Sequence, residues 1–180
     1  MTQRKVVAAS FLSLDDVAEA PDKFLTGWDE VVDAAGAELI ATQDTVLLGR
    51  RTYDEWSQYW PTSDVEPFAS FINGAPKYVA TSTPLDGDWS NSHPVKGDLA
   101  EFVRDLKAQP GGDIGIHGSI SIIRTLLTAG LVDELRLVIV PTVVGTGRQL
   151  FNALPPVSLE TISSTLTPSG LVLAAYRVKS

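Results

Sequence analysis

The stretch Leu47-Leu48-Gly49-Arg50-Arg51-Thr52-Tyr53 decides the fold that this sequence predicts. Residues 45–48 are β-branched or aliphatic and predict a buried strand, and a helical pattern follows the glycine directly. A glycine at the carboxyl end of a strand lets an anion approach the backbone, and the next helix offers free N–H groups and the positive end of its dipole. The stretch is therefore typical of a phosphate-binding junction, although a solvated helix start whose arginines offset Asp54 and Glu55 has the same pattern.

A second junction of this kind is Ile116-His117-Gly118-Ser119-Ile120. The glycine follows a strand predicted over 114–116 and opens a helix, where Ser119 can cap the helix or bind a phosphate oxygen. The carboxyl ends of parallel strands lie at one edge of an open α/β sheet, and ligands of such sheets bind there. The two junctions together therefore favour a nucleotide with several phosphates.

A third candidate is Thr81-Ser82-Thr83, which follows a strand predicted over 77–80. Three hydroxyl groups at a strand end could hold an adenosine 2′-phosphate. Hydroxyl groups in turns commonly bond their own backbone instead, so both interpretations stay open.

Strand and helix patterns alternate along most of the chain. Strands are predicted at 5–11, 45–48, 77–80, 114–116 and 135–140, and helices at 29–42, from 51, and at 67–73, 98–109 and 119–129. The helix at 29–42 is amphipathic, residues 82–98 predict a long surface connection, and 159–167 with 171–178 predict a hairpin. This pattern indicates one α/β domain over residues 1–180, with a mostly parallel sheet, helices on both faces and a C-terminal antiparallel pair.

Length, hydropathy and charge exclude several classes of protein. The chain has 180 residues, of which 44% are hydrophobic and 20% charged, as expected for a globular domain with its own core. No apolar run approaches the roughly 20 residues of a transmembrane helix, and no secretory signal is visible. The formal net charge of −8 argues against a nucleic-acid partner. Residues 1–44 carry a net charge of −6, which leaves −2 for the rest, so a local anion site is compatible with the charge.

Cysteine is absent, which excludes disulfides, thiolate nucleophiles and Cys-ligated zinc, and suits a reducing cytoplasm. With only His93 and His117, a zinc site would depend on carboxylates, so we expect no metal. No Gly-x-Ser-x-Gly motif is present, and His117 lies too close to Ser119 in sequence to assume a nucleophile and its base. The expected partner is therefore a small molecule.

Several segments, in order along nearly the whole chain, resemble the dihydrofolate-reductase-like family, and specifically the reductase domain of the bifunctional riboflavin-biosynthesis deaminase-reductase. They are Ser13-Leu14-Asp15, Leu48-Gly49-Arg50-Arg51-Thr52-Tyr53, Pro67-Phe68-Ala69, Ile72-Asn73, Pro76-Lys77-Tyr78-Val79, Gly118-Ser119 and Gly130-Leu131-Val132-Asp133-Glu134-Leu135. The resemblance implies a three-layer fold with a mixed sheet of about eight strands, and NADPH as hydride donor. It also implies a homodimer. The apolar strands at 135–140 and 171–176 are compatible with a dimer interface, but they serve equally well as core of one chain.

The resemblance further implies roles for individual residues. Those that would bind the cofactor are Ala9 against the nicotinamide, Gly49, Arg50, Arg51 and Thr52 at the phosphates, Thr81, Ser82 and Thr83 at the 2′-phosphate, and Gly118, Ser119 and Ile120 at the pyrophosphate. Ser13 and Asp15 lie in what resembles the substrate-side loop. In dihydrofolate reductases a carboxylate on the first long helix binds the pterin and helps to protonate it. Counted back from Gly49 without gaps, Asp33 is the acid at the corresponding position, although it lies among several acids on a helix face.

Three positions depart from the family pattern. His117 stands where paired glycines are usual, Asp16 stands where a glycine is expected, and 81–83 contains no arginine, which leaves NADH open as cofactor. The deaminase half is missing, since no H-x-E followed by P-C-x-x-C occurs. We therefore weigh an NADPH-dependent reductase of a pterin-like or ribosylaminopyrimidine-like substrate, a non-catalytic nucleotide-binding protein of the same fold, and a structural partner that binds no nucleotide.

Overall fold

The computed structural model describes residues 3–179. Its strands are β1 (Val6–Ser13), β2 (Gln43–Gly49), β3 (Lys77–Ala80), β4 (Ser92–Val95), β5 (Asp113–His117), β6 (Glu134–Val140), β7 (Leu159–Leu166) and β8 (Val172–Val178). Its helices are α1 (Glu30–Ala41), α2 (Arg50–Tyr59), α3 (Phe68–Gly74), α4 (Leu99–Ala108) and α5 (Ile120–Thr128), with 3-10 turns at Pro21–Lys23 and Trp60–Thr62. Among these helices, none is long and apolar enough to cross a membrane.

The strands form one sheet in the order β4-β3-β2-β5-β1-β6-β8-β7. Neighbours from β4 to β6 are parallel, whereas β8 runs antiparallel to both β6 and β7. The predicted mostly parallel sheet with a C-terminal antiparallel hairpin is confirmed. Since β2 and β5 are parallel neighbours, the two glycine junctions that follow them lie side by side at one edge of the sheet.

Helices cover both faces of the sheet, as predicted. Under α4 and α5 the core includes Val6, Leu47, Ile114, Val103 and Ile123. Under α2 and α3 the opposite core includes Val46, Leu48, Val79, Tyr53 and Ile72. Side chains alternate between the faces of each strand, so one run of apolar residues supplies both layers.

Helix α1 departs in part from its predicted packing. It buries Val32 and Ile40, but Val31 on the same predicted stripe is 37% exposed. Asp29 caps the helix by accepting hydrogen bonds from the N–H groups of Val31 and Val32, and its second oxygen accepts from Ser169 in the turn between β7 and β8. These contacts tie the start of α1 to the hairpin and hold the helix over the sheet, which leaves a cleft beneath it.

The prediction of a surface connection over 82–98 is wrong in its last part, because β4 lies there. The strand pairs in parallel with β3 and forms an edge of the sheet. An edge strand accommodates Pro94, whose missing N–H would break the ladder of a central strand. Its side chains at 92–94 are exposed or half-buried, so they show no apolar alternation from which a strand could be predicted.

Candidate functional site

A cleft of about 1250 Å³ lies between α1 and the sheet. Its floor is formed by alternate residues of β1 and by side chains of β6 and β8, including Val7, Ala9, Phe11, Val138 and Ala175. At the carboxyl ends of β2 and β5 the cleft is lined by Gly49, Thr52, Gly118, Ser119 and Ile120. The residues predicted for the cofactor pyrophosphate and for the nicotinamide therefore share one cavity.

The starts of α2 and α5 meet at Ser119. Its hydroxyl accepts a hydrogen bond from the N–H of Gly49 at 3.1 Å and donates one to Oγ1 of Thr52 at 2.9 Å. Ser119 is the N-cap residue of α5, but its side chain bridges to the neighbouring helix and does not cap its own. Within the described part of the chain neither helix has a side-chain cap, so the N–H groups of both first turns point at the same space. Two helix dipoles converge there, which fits a pyrophosphate.

Glycine suits both junctions. A Cβ added at Gly49 would lie 3.3 Å from Oγ of Ser121, so a longer side chain would fill the gap between the helix starts. Gly118 has φ +70°, a left-handed conformation that favours glycine, and open space lies in front of it. Its N–H donates to the carbonyl of Ala9 at 2.8 Å, which brings Ala9 beside the pyrophosphate junction.

Arg50 lies at the centre of a polar cluster on the other side of Gly49. NH1 donates to Oγ1 of Thr83 at 2.7 Å and to Oγ1 of Thr81 at 3.3 Å, while Nε donates to Asp54 at 2.8 Å and NH2 to Asp86 at 3.1 Å. The hydrogen bond with Asp54 raises the pKa of Arg50 and keeps it charged. The structure thus brings the predicted 2′-phosphate hydroxyls to the predicted phosphate-binding arginine.

A second hollow of about 520 Å³ adjoins this cluster. Its lining combines the ends of β3 and β4 with the start of α4 and consists of Ala80, Thr81, Ser82, Val95, Lys96, Gly97 and Leu99. Its lining mixes apolar side chains with hydroxyl groups and a lysine, which can accommodate a flat heterocycle such as adenine. The sequence pattern did not reveal this hollow because β4 had no strand signal.

Arg51 completes the predicted set at the mouth of the cleft. It is mostly exposed and donates to Glu19 at 3.0 Å and to Glu55 at 3.4 Å. Two carboxylates therefore share its charge. Arg51 can attract an anion to the cleft mouth, while the backbone N–H groups provide the fixed donors.

His117 lines the cleft, but its ring nitrogen is engaged by Gln43. The imidazole ring lies over Gly115, and its Nε2–H donates a hydrogen bond to Oε1 of Gln43 at 2.8 Å. The rings of Phe68 and Phe71 pack edge-on against it. A Cβ at Gly115 would lie 1.9 Å from Oε1 of Gln43, so this packing requires the glycine. Burial lowers the pKa of His117 from 6.5 to about 4, which leaves it neutral at pH 7.

Asp16 fulfils the backbone role of the expected glycine. It has φ 69°, in the left-handed region that aspartate tolerates better than most residues, and its Oδ2 accepts a hydrogen bond from the N–H of Phe151 at 2.8 Å. The departure at Asp16 therefore preserves the turn and adds a tie to residues 150–151.

Ser13 and Asp15 are used in loop contacts outside the cleft. Oγ of Ser13 donates to Asp15 at 2.7 Å, and the same carboxylate accepts from the N–H groups of Val144 and Gly145 at 3.0 and 2.8 Å. These hydrogen bonds, with that from Ser13 the largest influence, lower the pKa of Asp15 from 3.8 to about 2. Neither residue lines the cleft, so the geometry does not support the substrate role that the resemblance implies.

Aromatic side chains surround the part of the cleft above Ala9, and the sequence pattern missed them because they come from separate segments. The rings of Phe11 and Trp28 lie 5.9 Å apart, and the indole N–H of Trp28 donates to Oδ1 of Asp33 at 2.6 Å. The facing wall contains Trp56, Trp60 and Phe68. Asp33 is exposed on α1 but lines this cleft, and its carboxylate is oriented by the indole.

Among residues 3–179, no group of three or more His, Asp or Glu side chains is placed to hold a metal ion.

The chain belongs to the RibD C-terminal domain family, which it matches over residues 4–173. It is 29% identical over 181 residues to the uncharacterized protein YyaP of Bacillus subtilis (strain 168), covering 98% of this chain and 96% of YyaP. A putative riboflavin biosynthesis protein from Shewanella sp. PV-4 superposes with a TM-score of 0.79 at 22% identity, over 98% of this chain and 99% of that one. A dihydrofolate reductase from Enterococcus faecalis, complexed with NADP(H), superposes with a TM-score of 0.66 at 15% identity, over 99% and 98%. The dihydrofolate-reductase-like fold is confirmed.

Replacement of Asp15 by asparagine should lower stability in a pH-dependent way. A carboxyl whose folded pKa is near 2 and whose ordinary value is 3.8 stabilises the fold above pH 4, and this contribution is lost as the pH falls toward 2. Asp15→Asn should therefore lower Tm at pH 7 and flatten the fall of Tm between about pH 4 and 2. Asp22→Asn, which changes another aspartate of the acidic first 44 residues, serves as control. Identical Tm profiles for the two variants would show that Asp15 does not hold these loops.

Proposed function

We propose that this protein is a reductase that transfers hydride from NADPH to a small heteroaromatic substrate of the pterin or ribosylaminopyrimidine type. The observation that carries the proposal is the meeting of two uncapped helix starts at Ser119, at the mouth of an aromatic cleft. Membership of the RibD C-terminal domain family supports it. So does the structural similarity to a putative riboflavin biosynthesis protein and to a dihydrofolate reductase complexed with NADP(H).

The cofactor would lie along a continuous path of sites. Adenine would occupy the hollow between Ala80 and Leu99, and the 2′-phosphate would meet Arg50. The pyrophosphate would accept hydrogen bonds from the N–H groups at the starts of α2 and α5, beside Ser119. Backbone N–H groups and helix dipoles bind such an anion without a large basic patch, which agrees with the net charge of −8.

Ala9 sets the place of the reacting ring. Its carbonyl already accepts the N–H of Gly118, and its small side chain leaves the cleft floor open between those of Val7 and Phe11. When bound there, the nicotinamide supplies a hydride. The aromatic rings of Phe11 and Trp28 border the same space, so a flat substrate would be held against it and shielded from water.

Asp33 is the proposed source of a proton for a pterin-like substrate. Hydride addition to the carbon of a C=N bond moves the π electrons to nitrogen, which must then take up a proton for the reduction to be complete. Asp33 lines the cleft and is oriented by Trp28, so its carboxylate is placed to pass a proton from water to that nitrogen. A ribosylaminopyrimidine substrate that is reduced at its sugar carbon does not require an acid that binds the ring in this way.

The alternative of a nucleotide-binding protein without turnover arose from His117 and Asp16. Both positions have local explanations, since His117 is hydrogen-bonded to Gln43 and Asp16 preserves a left-handed turn. No observation favours the alternative over the reductase. Cofactor binding without NADPH oxidation on any pterin or pyrimidine would identify it.

The homodimer implied by the resemblance stays a prediction. Light scattering, compared with the 19.3 kDa mass of one chain, measures it directly.

Arg50→Ala should weaken NADPH binding. Loss of charge-assisted hydrogen bonds to a phosphate should make the binding free energy about 1.5–3 kcal/mol less favourable, which corresponds to a Kd roughly 10- to 150-fold higher. Titration of nicotinamide fluorescence measures this Kd. The matched control is Arg104→Ala, which removes an exposed arginine from α4. Equal Kd values for the two variants would contradict the phosphate assignment, and lack of NADPH binding by the unaltered protein would contradict the proposed function.

Asp33→Asn should lower kcat on a dihydropterin substrate by about 10²- to 10⁴-fold, the usual contribution of general acid catalysis, because the amide cannot supply the proton. The Kd for NADPH should not change, because Asp33 lies in α1 and not at the starts of α2 and α5 that would bind the pyrophosphate. Oxidation of NADPH across a panel of dihydropterins and ribosylaminopyrimidines measures kcat. Glu38→Gln, another acid of α1 that lines the cleft, serves as control. A kcat equal to that of the control would assign protonation to solvent or another group.

A further inference from the structure

The loop between β3 and β4 places a carboxylate directly on the guanidinium of Arg50. NH2 of Arg50 donates to Oδ2 of Asp86 at 3.1 Å, on the same side chain that reaches Thr81 and Thr83. Asp86 lies 36 positions after Arg50 in the sequence, in the loop between β3 and β4, whereas Arg50 begins α2. Its side chain is 92% exposed, so solvent competes for this ion pair and a stronger anion can replace it.

The loop carries Asp86 on an exposed tip between two anchors. Leu85 packs against the apolar cluster under α2 and α3, and Trp89 is buried with its indole N–H donated to Oδ1 of Asn73 at 2.8 Å. Between these anchors lie Asp86, Gly87 with φ +104°, and Asp88. Substitutions at the tip should therefore leave the packing of the core unchanged.

The donors of Arg50 are divided among unequal acceptors. Nε pairs with Asp54 one helical turn further along α2, and NH1 donates to Thr83 and to the carbonyl of Pro84. The contacts of NH1 are uncharged, and Asp54 is fixed by the helix. Asp86 is thus the only charged partner of Arg50, among the described residues, that comes from a loop tip.

A phosphate and a hydroxyl would meet this arrangement differently. A 2′-phosphate is an anion that would take the same guanidinium N–H groups as Asp86, and it would be repelled while the carboxylate remains. A 2′-hydroxyl can instead donate a hydrogen bond to a carboxylate, which is how acidic residues recognise the ribose of NAD in other nucleotide-binding folds. The subsite thus contains Arg50, which suits the 2′-phosphate of NADPH, and Asp86, which suits the 2′-hydroxyl of NADH.

We propose that Asp86 occupies the place of the 2′-phosphate on Arg50 and thereby sets the preference between NADPH and NADH. This inference rests on the proposed function, because it concerns the same nicotinamide cofactor. Asp86 weakens NADPH binding by competing for Arg50 and supports NADH through its free oxygen. The sequence pattern at 81–83 left this preference open, and the acceptor that decides it lies outside that segment.

The test compares Asp86→Asn with Asp88→Asn. Both variants remove one negative charge from the same exposed tip, but no hydrogen bond or ion pair joins Asp88 to Arg50. Kd values for NADPH and NADH are measured by nicotinamide fluorescence on each protein. In Asp86→Asn the ratio of Kd for NADH to Kd for NADPH should rise about tenfold, because like-charge repulsion of the phosphate is removed. In Asp88→Asn the ratio should stay within about twofold of the unaltered protein.

A second pair of ligands isolates the subsite from the nicotinamide. Adenosine 2′,5′-bisphosphate should bind Asp86→Asn about tenfold more tightly than it binds the unaltered protein, whereas AMP should not. If both nicotinamide cofactors bind and the ratio of Kd for NADH to Kd for NADPH is the same in Asp86→Asn and Asp88→Asn, the inference is overturned and the proposed function stands. If no protein binds either cofactor, both are overturned.

Discussion

The hydroxyl of Ser119 joins the starts of α2 and α5, and the candidate site depends on this contact. It exists because β2 and β5 are parallel neighbours, so that Gly49 at the end of β2 and Ser119 just after β5 lie at the same edge of the sheet. The serine bridges to the next helix and leaves the first turn of its own helix uncapped. The result is a space faced by two sets of backbone N–H groups, with glycines on both sides that keep it open. The aromatic cleft and the Arg50 cluster extend from this space in opposite directions.

The acidic surplus of the chain has structural roles near this site. Asp29 caps α1 and ties it to the hairpin, Asp15 and Asp16 hold loops together, and Glu19 pairs with Arg51 at the cleft mouth. Anion binding in such a protein relies on backbone N–H groups, helix dipoles and a few placed arginines, and not on overall charge. An acidic protein can therefore bind a cofactor with several phosphates.

Much of the fold could be predicted from the sequence because local patterns agree with the tertiary structure. The run at 45–48, the glycines after two strands and the hairpin near Pro168 all lie where the pattern predicts. The pattern could not show features that depend on contacts between distant residues. Gln43 and His117 meet across 74 positions and Arg50 and Asp86 across 36. The aromatic side chains around the cleft come from four separate parts of the chain, at residues 11, 28, 56–60 and 68. Strand β4 was missed because an edge strand with exposed side chains needs no apolar alternation.

A crystal structure of the protein with bound NADPH tests the central claim most directly. The account predicts that the pyrophosphate oxygens lie within hydrogen-bond distance of the backbone N–H groups at the starts of α2 and α5, beside Ser119, with the nicotinamide ring over Ala9. A cofactor whose pyrophosphate lies elsewhere, with both helix starts facing solvent, would contradict it.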